Sequence, residues 1–286
     1  VMGTAPRPSA ALGAEQLDLL AVMVAEHTGV QLSVGEVGMV EARLLEFMRE
    51  RGLSLEQVLV EAACNRRGAL ARELAERLTN AETSFFRDPL LFDELRTWVL
   101  PELLDAARGR EPVVFWCAAC STGQEPYSLA MLLATWFPEA LAAGRVRLIA
   151  TDVSRRNLER VRAGCYTRGE INRGLPAAML VRWFEDEGGC WRIHPRLREL
   201  VELRHLSLID PWPALPSVDL LLLRNVLLYW PMDRRELALA RAARQLAPDG
   251  LMAVGGAEIL PIKSAFEAVQ RKRWRFYRPT STATPL

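Results

Sequence analysis

Ser121-Thr122-Gly123 lies between an apolar burst, Val113-Val114-Phe115-Trp116, and a helical run, Leu129-Ala130-Met131-Leu132-Leu133-Ala134. Strand, tight turn and helix in that order let backbone approach a ligand at the helix N-terminus. A ligand-free turn of a parallel sheet has the same pattern. Two other apolar runs end in side chains that can do chemistry. Asp152 is the first charge after the second of them, and a carboxylate there accepts ribose hydroxyls or caps the next helix. Arg224-Asn225 follows the most apolar run, which sets a guanidinium and an amide beside a cleft or in a surface salt bridge. The turn is not Gly-x-Gly-x-x-Gly and no Walker lysine follows it, so nicotinamide cofactors and nucleoside triphosphates are disfavoured. Cys117-Ala118-Ala119-Cys120 matches Cys-x-x-Cys, but at a strand end rather than a helix N-terminus, and no second pair completes a zinc set. These cysteines read as structural or pocket-wall residues, with a dithiol redox protein as the weaker alternative. His27, His194 and His205 are dispersed, and no Gly-x-Ser-x-Gly elbow occurs, so no metal site or nucleophile elbow is expected.

Bringing these stretches together requires a sheet. The alternation predicts parallel strands at Val113–Cys117, Val146–Asp152, Glu199–Leu203, Val218–Leu223 and Leu251–Val254, with Trp274–Tyr277 as a closing strand. Helices fall between them: one ending near Trp136, one from a Ser154 cap to Gly164, one over Leu175–Phe184, and one from Pro231 to Leu246. That order means an α/β, doubly wound, Rossmann-like sheet, whose ligands bind at the carboxyl ends of the strands. Before it, helical spacing at Leu17, Leu20, Val24, then Val40, Leu44, Phe47, then Leu55, Val58, Leu59, and a segment over Ala69–Leu78, predicts a small all-helical domain. The expected organisation is a disordered tail over 1–14, a helical domain over 15–78, a linker over 79–95, an α/β domain over 96–280 with a small antiparallel insertion at about 184–197, and a tail over 281–286.

The chain has 286 residues, 50% apolar and 25% charged, enough for a sizeable core and two domains. A formal charge of +1 gives no global pull toward nucleic acid or a membrane surface. No apolar run reaches the length of a membrane span, and Val1 to Pro8 lack the apolar core of a signal peptide. The five cysteines are odd in number and scattered, which suits a reducing cytoplasm better than a disulfide framework.

Four blocks in order then carry a resemblance: Glu82-Thr83-Ser84-Phe85-Phe86-Arg87-Asp88; Ala118-Ala119-Cys120-Ser121-Thr122-Gly123 with Glu125-Pro126-Tyr127-Ser128; Ala150-Thr151-Asp152; and Arg224-Asn225-Val226-Leu227-Leu228-Tyr229. Pro248-Asp249-Gly250 with Gly255-Gly256-Ala257-Glu258 is a fifth. From about Leu17 to Tyr277 the chain resembles the CheR-type chemoreceptor methyltransferases, which esterify receptor glutamates with S-adenosylmethionine. A Phe-Phe-Arg linker upstream of this turn is not a general methyltransferase pattern. The resemblance implies that Thr83, Arg87, Ala118, Glu125, Asp152, Ser207, Leu208, Arg224 and Asn225 hold S-adenosylmethionine and its product S-adenosylhomocysteine, and that Arg87 and Tyr229 lie near the transferred methyl. It implies no metal. The chain departs from the pattern where the family's linker asparagine falls at Ala81, with Asn80 one place early, and where Ser207-Leu208 replaces an asparagine–leucine pair.

The resemblance also implies a partner, the cytoplasmic helical domain of chemoreceptors. Docking would run through Arg43, Arg49 and Arg51 of the helical domain, although Glu46 and Phe47 stand where basic residues are common. The segment Phe184 to Trp191 is shorter than in members that tether to a receptor's C-terminal peptide, which implies recognition without the tether. No nucleic acid and no membrane insertion are expected. A glutamate with a pKa of about 4.3 is already ionised at neutral pH, so methyl transfer needs alignment rather than a general base. The alternative function is a non-catalytic module that binds S-adenosylmethionine or S-adenosylhomocysteine and regulates a signalling partner.

Overall fold

The computed structural model describes residues 12–80, 82–106, 112–260 and 265–280. The expected terminal tails, apart from 12–14, and the departure at Ala81 lie outside the described residues. The chain forms two compact units, one of residues up to Asn80 with Tyr229–Pro231, the other of Ala81–Leu228 with Met232 onward. Among the described residues no helix is long and apolar enough to cross a membrane.

The first unit holds α1 (Ala14–Thr28), α2 (Val37–Arg51), α3 (Leu55–Cys64) and α4 (Ala69–Leu78). Their apolar positions recur at helical spacing, so Leu20, Met23, Val24, Val40, Leu44, Phe47, Val58, Leu74 and Leu78 close into one core. Gly29 and Gly52 end α1 and α2 in the left-handed conformation, and Ser54 caps α3 with Gln57 three residues on. The arginines on α2 differ in their surroundings. Arg43 is half-buried and donates to the Thr79 carbonyl, and burial lowers its pKa. Arg51 pairs with Glu73. Arg49 is exposed and makes no ion pair among the described residues. The Tyr229 carbonyl accepts from the Gln31 N–H at 2.8 Å within this unit.

In the second unit a seven-stranded sheet has the order β6-β2-β1-β7-β8-β10-β9. The strands are β1 (Val113–Ala118), β2 (Val146–Asp152), β6 (Val201–His205), β7 (Val218–Leu223), β8 (Leu246–Ala253), β9 (Phe266–Gln270) and β10 (Arg275–Pro279). From β1 the chain winds outward to β2 and β6 on one side and to β7 and β8 on the other, all parallel, with β10 and β9 added antiparallel. The reversal of winding falls between β1 and β7, the switch point where such sheets bind ligands. Every residue of β1 is buried, and β7 is buried at all positions but Asp219, whose carboxylate accepts from the Val114 N–H at 2.8 Å.

The helices are α5 (Pro89–Glu94), continued through a π-type turn at Leu95–Val99 into α6 (Leu100–Ala106), then α7 (Gln124–Trp136), α8 (Pro138–Ala142), α9 (Arg155–Ala163), α10 (Arg168–Ile171), α11 (Ala177–Trp183), α12 (Pro195–Leu200) and α13 (Met232–Gln245). Several boundaries differ from expectation. The strand expected at Glu199–Leu203 begins at Val201, because the His194 ring caps α12 and Pro195 starts it, drawing Glu199 and Leu200 into the helix. β8 starts at Leu246 and carries Pro248-Asp249-Gly250 across a register shift. A Cβ on Gly250 would lie 2.7 Å from the Val218 carbonyl, so glycine permits the close approach. β9 is an additional strand. The antiparallel insertion is a three-stranded sheet of β3 (Cys165–Tyr166), β5 (Trp191–Ile193) and β4 (Phe184–Asp186), so it draws in residues well before 184. Pairing of Cys165 opposite Arg192 brings it beside Cys190, and the two form a disulfide with Cα atoms 5.6 Å apart. The expectation of scattered, reduced cysteines fails at this pair.

Candidate functional site

The turn after β1 is held in an unusual backbone. Ala119, Ser121 and Gly123 have φ of 54°, 50° and 96°, a region unfavourable for side-chain-bearing residues. Hydrogen bonds fix it: Cys120 N–H to the Thr151 carbonyl at 2.9 Å, Ser121 N–H to Asp152 Oδ2 at 2.8 Å, and Gly123 N–H to the Cys120 carbonyl at 3.0 Å. Tyr166 donates its hydroxyl to the Thr122 carbonyl at 2.8 Å from outside. A Cβ on Gly123 would come within 3.0 Å of that hydroxyl and 2.9 Å of Val161. Glycine is therefore required here both by φ and by space.

Asp152, at the end of β2, is buried and organises the neighbouring strand end. Besides Ser121, its Oδ1 accepts from the Ser154 N–H at 2.9 Å and the Asn157 side-chain amide at 3.3 Å. It thus ties the turn to the start of α9. Burial outweighs these bonds and raises its pKa to about 6. Beyond β6, Leu206 donates to the Asp152 carbonyl at 3.1 Å, which sets Ser207 and Leu208 next in line. Leu208 is buried, and Ser207 Oγ is buried with no hydrogen-bond partner among the described residues.

Arg224, the residue after β7, lies at the centre. Its side chain is 2% exposed. One terminal nitrogen meets Glu125 Oε2 at 2.5 Å, and the other meets Asp88 Oδ2 at 2.7 Å and the Arg87 carbonyl at 2.6 Å. Its guanidinium also stands 5.8 Å from the Phe92 ring centre. Burial opposes the charge, but the Glu125 and Asp88 carboxylates outweigh it and raise the pKa. Burial raises the Glu125 carboxyl, against the pull of Arg224. Arg224 is thus the centre of a buried ion-pair network. It joins the head of α7 to the linker, 99 and 136 residues away in sequence.

The linker is ordered by packing. Phe85 is fully buried, edge-on to Tyr166 and Phe184 at 5.0 and 5.5 Å. The Phe86 N–H donates to Ser128 Oγ at 2.8 Å, and Phe86 and Asp88 have φ of 48° and 62°. Gly174 backs the linker, since a Cβ there would lie 2.2 Å from the Phe85 carbonyl. Arg87 turns its side chain to the Glu82 carbonyl at 3.0 Å, and its charge acts on Glu125.

Residues 81–275 match the family model described as CheR methyltransferase, SAM binding domain. The chain belongs to the CheR methyltransferase family. Chemotaxis protein methyltransferase 1 of Pseudomonas aeruginosa is 35% identical over 85% of this chain and 89% of its own length. Chemotaxis protein methyltransferase Cher2 of Pseudomonas putida is 32% identical over 84% and 88%. The probable chemotaxis protein methyltransferase of Rhizobium etli is 32% identical over 82% and 89%.

Within this CheR unit, Ala118, Glu125, Asp152, Arg224 and Asn225 stand at the carboxyl ends of β1, β2 and β7 or at the head of α7, with Arg87 at the linker and Ser207-Leu208 beyond β6. Thr83 is half-buried in the linker. Tyr229 groups with the helical unit. Cys117 and Cys120 are buried, and burial pushes both thiols well above their ordinary value, which disfavours the thiolate a redox dithiol needs. A cavity of about 440 Å³ lies elsewhere, against Arg162, Arg198, Val201 and Leu203 at the start of β6, away from the strands' carboxyl ends. From sequence, Asp88, Ser128 and Glu258 lie within the matching blocks but receive no role, and Tyr166 is not singled out. Glu258 follows a Gly-Gly turn after an apolar strand, a signal comparable with Asp152, and its carboxylate accepts from the N–H groups of Asn225, Val226, Leu228 and Gly255.

Proposed function

We propose that this CheR-family protein transfers a methyl group from S-adenosylmethionine to glutamate carboxylates of methyl-accepting chemoreceptors, giving methyl esters. One observation carries the reading. The Phe85-Phe86-Arg87-Asp88 linker and the Glu125 turn, the two blocks that set this family apart from other methyltransferases, meet on the Arg224 guanidinium. The names of the relatives support the chemotactic role.

The residues present fit the cofactor. A carboxylate offers about four lone-pair positions. Asp152 uses three of them, leaving one on Oδ2 for a hydroxyl donor. The partnerless Ser207 Oγ, one residue past the Leu206 N–H that donates to the Asp152 carbonyl, supplies a further donor and acceptor. Bound S-adenosylmethionine supplies an electrophilic methyl on a sulfonium. The chain's task is to align a substrate carboxylate that is already ionised and to keep water from it. Glu125 and Asp88 keep Arg224 charged, and Arg87 offers a guanidinium to a carboxylate in the cleft. Receptor docking falls to the helical unit, with Arg49 as the available cation on α2 and no requirement for a C-terminal peptide.

The test is transfer of labelled methyl to a purified receptor cytoplasmic fragment, with and without its last few residues. Base-labile label released as methanol is expected from both fragments. Base-stable label overturns the glutamyl ester, and loss of label on truncation overturns recognition without a tether.

A further inference from the structure

The cofactor reading assigns a role to Asn225 but leaves open what holds it. Asn225 has a φ of 58°, in the left-handed region that asparagine adopts more readily than most residues, and its surroundings hold it there. The restraint is one carboxylate. Glu258 Oε2 accepts from the Asn225 and Gly255 N–H groups, both at 2.7 Å, and Oε1 accepts from Val226 at 2.9 Å and Leu228 at 3.2 Å. Glu258 is 7% exposed, and these four partners are all neutral backbone amides. Amide dipoles converging on a buried carboxylate stabilise its charge and are in turn fixed by it. Gly255 closes the other side, since a Cβ there would lie 2.6 Å from Asn225 Nδ2 and 3.0 Å from Glu258 Oε2. The Asn225 side chain is confined between a glycine that cannot be enlarged and a backbone held by Glu258.

We infer that Glu258 is a positioning residue for cofactor binding: it fixes the Asn225–Leu228 loop so that the Asn225 amide faces the cleft, without touching the reacting atoms itself. The inference rests on the cofactor reading above. A glutamine at 258 has nearly the same volume but replaces one acceptor oxygen by a donor, so whichever way it turns, N–H groups of the loop face another donor.

The experiment is calorimetric binding of S-adenosylhomocysteine to wild type, Glu258→Gln, Asn225→Ala and the double variant, each well below its own Tm. Glu258→Gln is expected to weaken binding tenfold or more. Adding it to Asn225→Ala is expected to change affinity less than twofold, because the effect runs through Asn225. Glu94→Ala is the structural control. That carboxylate is 2% exposed and accepts from the Arg273 N–H at 2.6 Å, so its removal is expected to lower Tm with affinity unchanged. If Glu258→Gln does not fold, Glu258→Asp carries the same test, since it keeps the charge but draws the carboxylate back from the loop N–H groups, with the same loss and the same non-additivity. Wild-type-like affinity in Glu258→Gln, or independent losses in the double variant, overturns the proposal alone. Failure of the wild type to bind S-adenosylhomocysteine overturns the cofactor reading and this proposal with it.

Discussion

Replacing Arg224 by methionine keeps much of its volume and removes its charge, which isolates the buried network. The variant strands Glu125, whose side chain is 12% exposed, and frees Asp88 and the Arg87 carbonyl from the head of α7. Asp88 is 31% exposed and regains water, so the larger penalty falls on Glu125. Removing one partner of a buried pair costs about 3–5 kcal/mol, against about 0–1 for a surface pair. For a unit of this size each kcal/mol shifts Tm by about 2–4 °C, so a fall of about 6–20 °C is expected. Adding Glu125→Gln removes the stranded charge and should recover a large part of the loss. The signature in pH follows from linkage. Burial raises the Glu125 pKa in the fold, more so without the guanidinium, so the folded variant takes up a proton as pH falls and the gap to wild type narrows on acidification. The assay is thermal and urea melting of the four proteins of the cycle from pH 5 to 8. A loss below about 1 kcal/mol, the range of an exposed pair, refutes the reasoning. So does strict additivity of the two substitutions.

Asp152 gives two opposite pH trends. Its folded pKa of about 6 exceeds the unfolded carboxylate value, so without cofactor its contribution to stability declines as pH rises from about 4 through 6, whereas S-adenosylhomocysteine affinity rises over the same window as the acceptor ionises. Calorimetry and melts against Asp152→Asn check both, and a flat affinity profile removes Asp152 from the site. The Cys117→Ser/Cys120→Ser pair should keep methyl transfer within about tenfold, a barrier change of roughly 1.4 kcal/mol, as measured by labelled-methyl transfer; complete loss with intact fold and cofactor binding revives a redox or metal role. Arg49→Glu should slow receptor methylation with S-adenosylhomocysteine affinity unchanged, and a normal rate removes α2 as the docking face.

What the sequence revealed depended on how far each signal travels along the chain. The spans of β2, β7 and α9 were readable to the residue because continuous apolar runs and a Ser154-to-Gly164 pair of caps are local. β3, at two residues, is too short to show any period, and β9, exposed at most positions, offers little alternation. Site residue types were legible for a similar reason: charges that end apolar strands stand out. Their partners were not. Arg224 reads equally as a free guanidinium or a salt bridge until Glu125 and Asp88 are brought to it. The same limit applied to Glu258, whose place after an apolar strand and a Gly-Gly turn marks it much as Asp152 is marked, but whose four amide partners appear only in the fold. The consequence is chemical as well as topological. Residue type marks Asp152 and Arg224 as candidates for the site, but bonding within the fold decides what remains for a ligand. Arg224 spends both terminal nitrogens within the fold and keeps only Nε without a partner, Asp152 retains a single position, and Ser207 Oγ, the least conspicuous of the group, is also left unpaired. A site reading from sequence therefore ranks these residues by charge, whereas the folded site ranks them by unused hydrogen-bonding capacity.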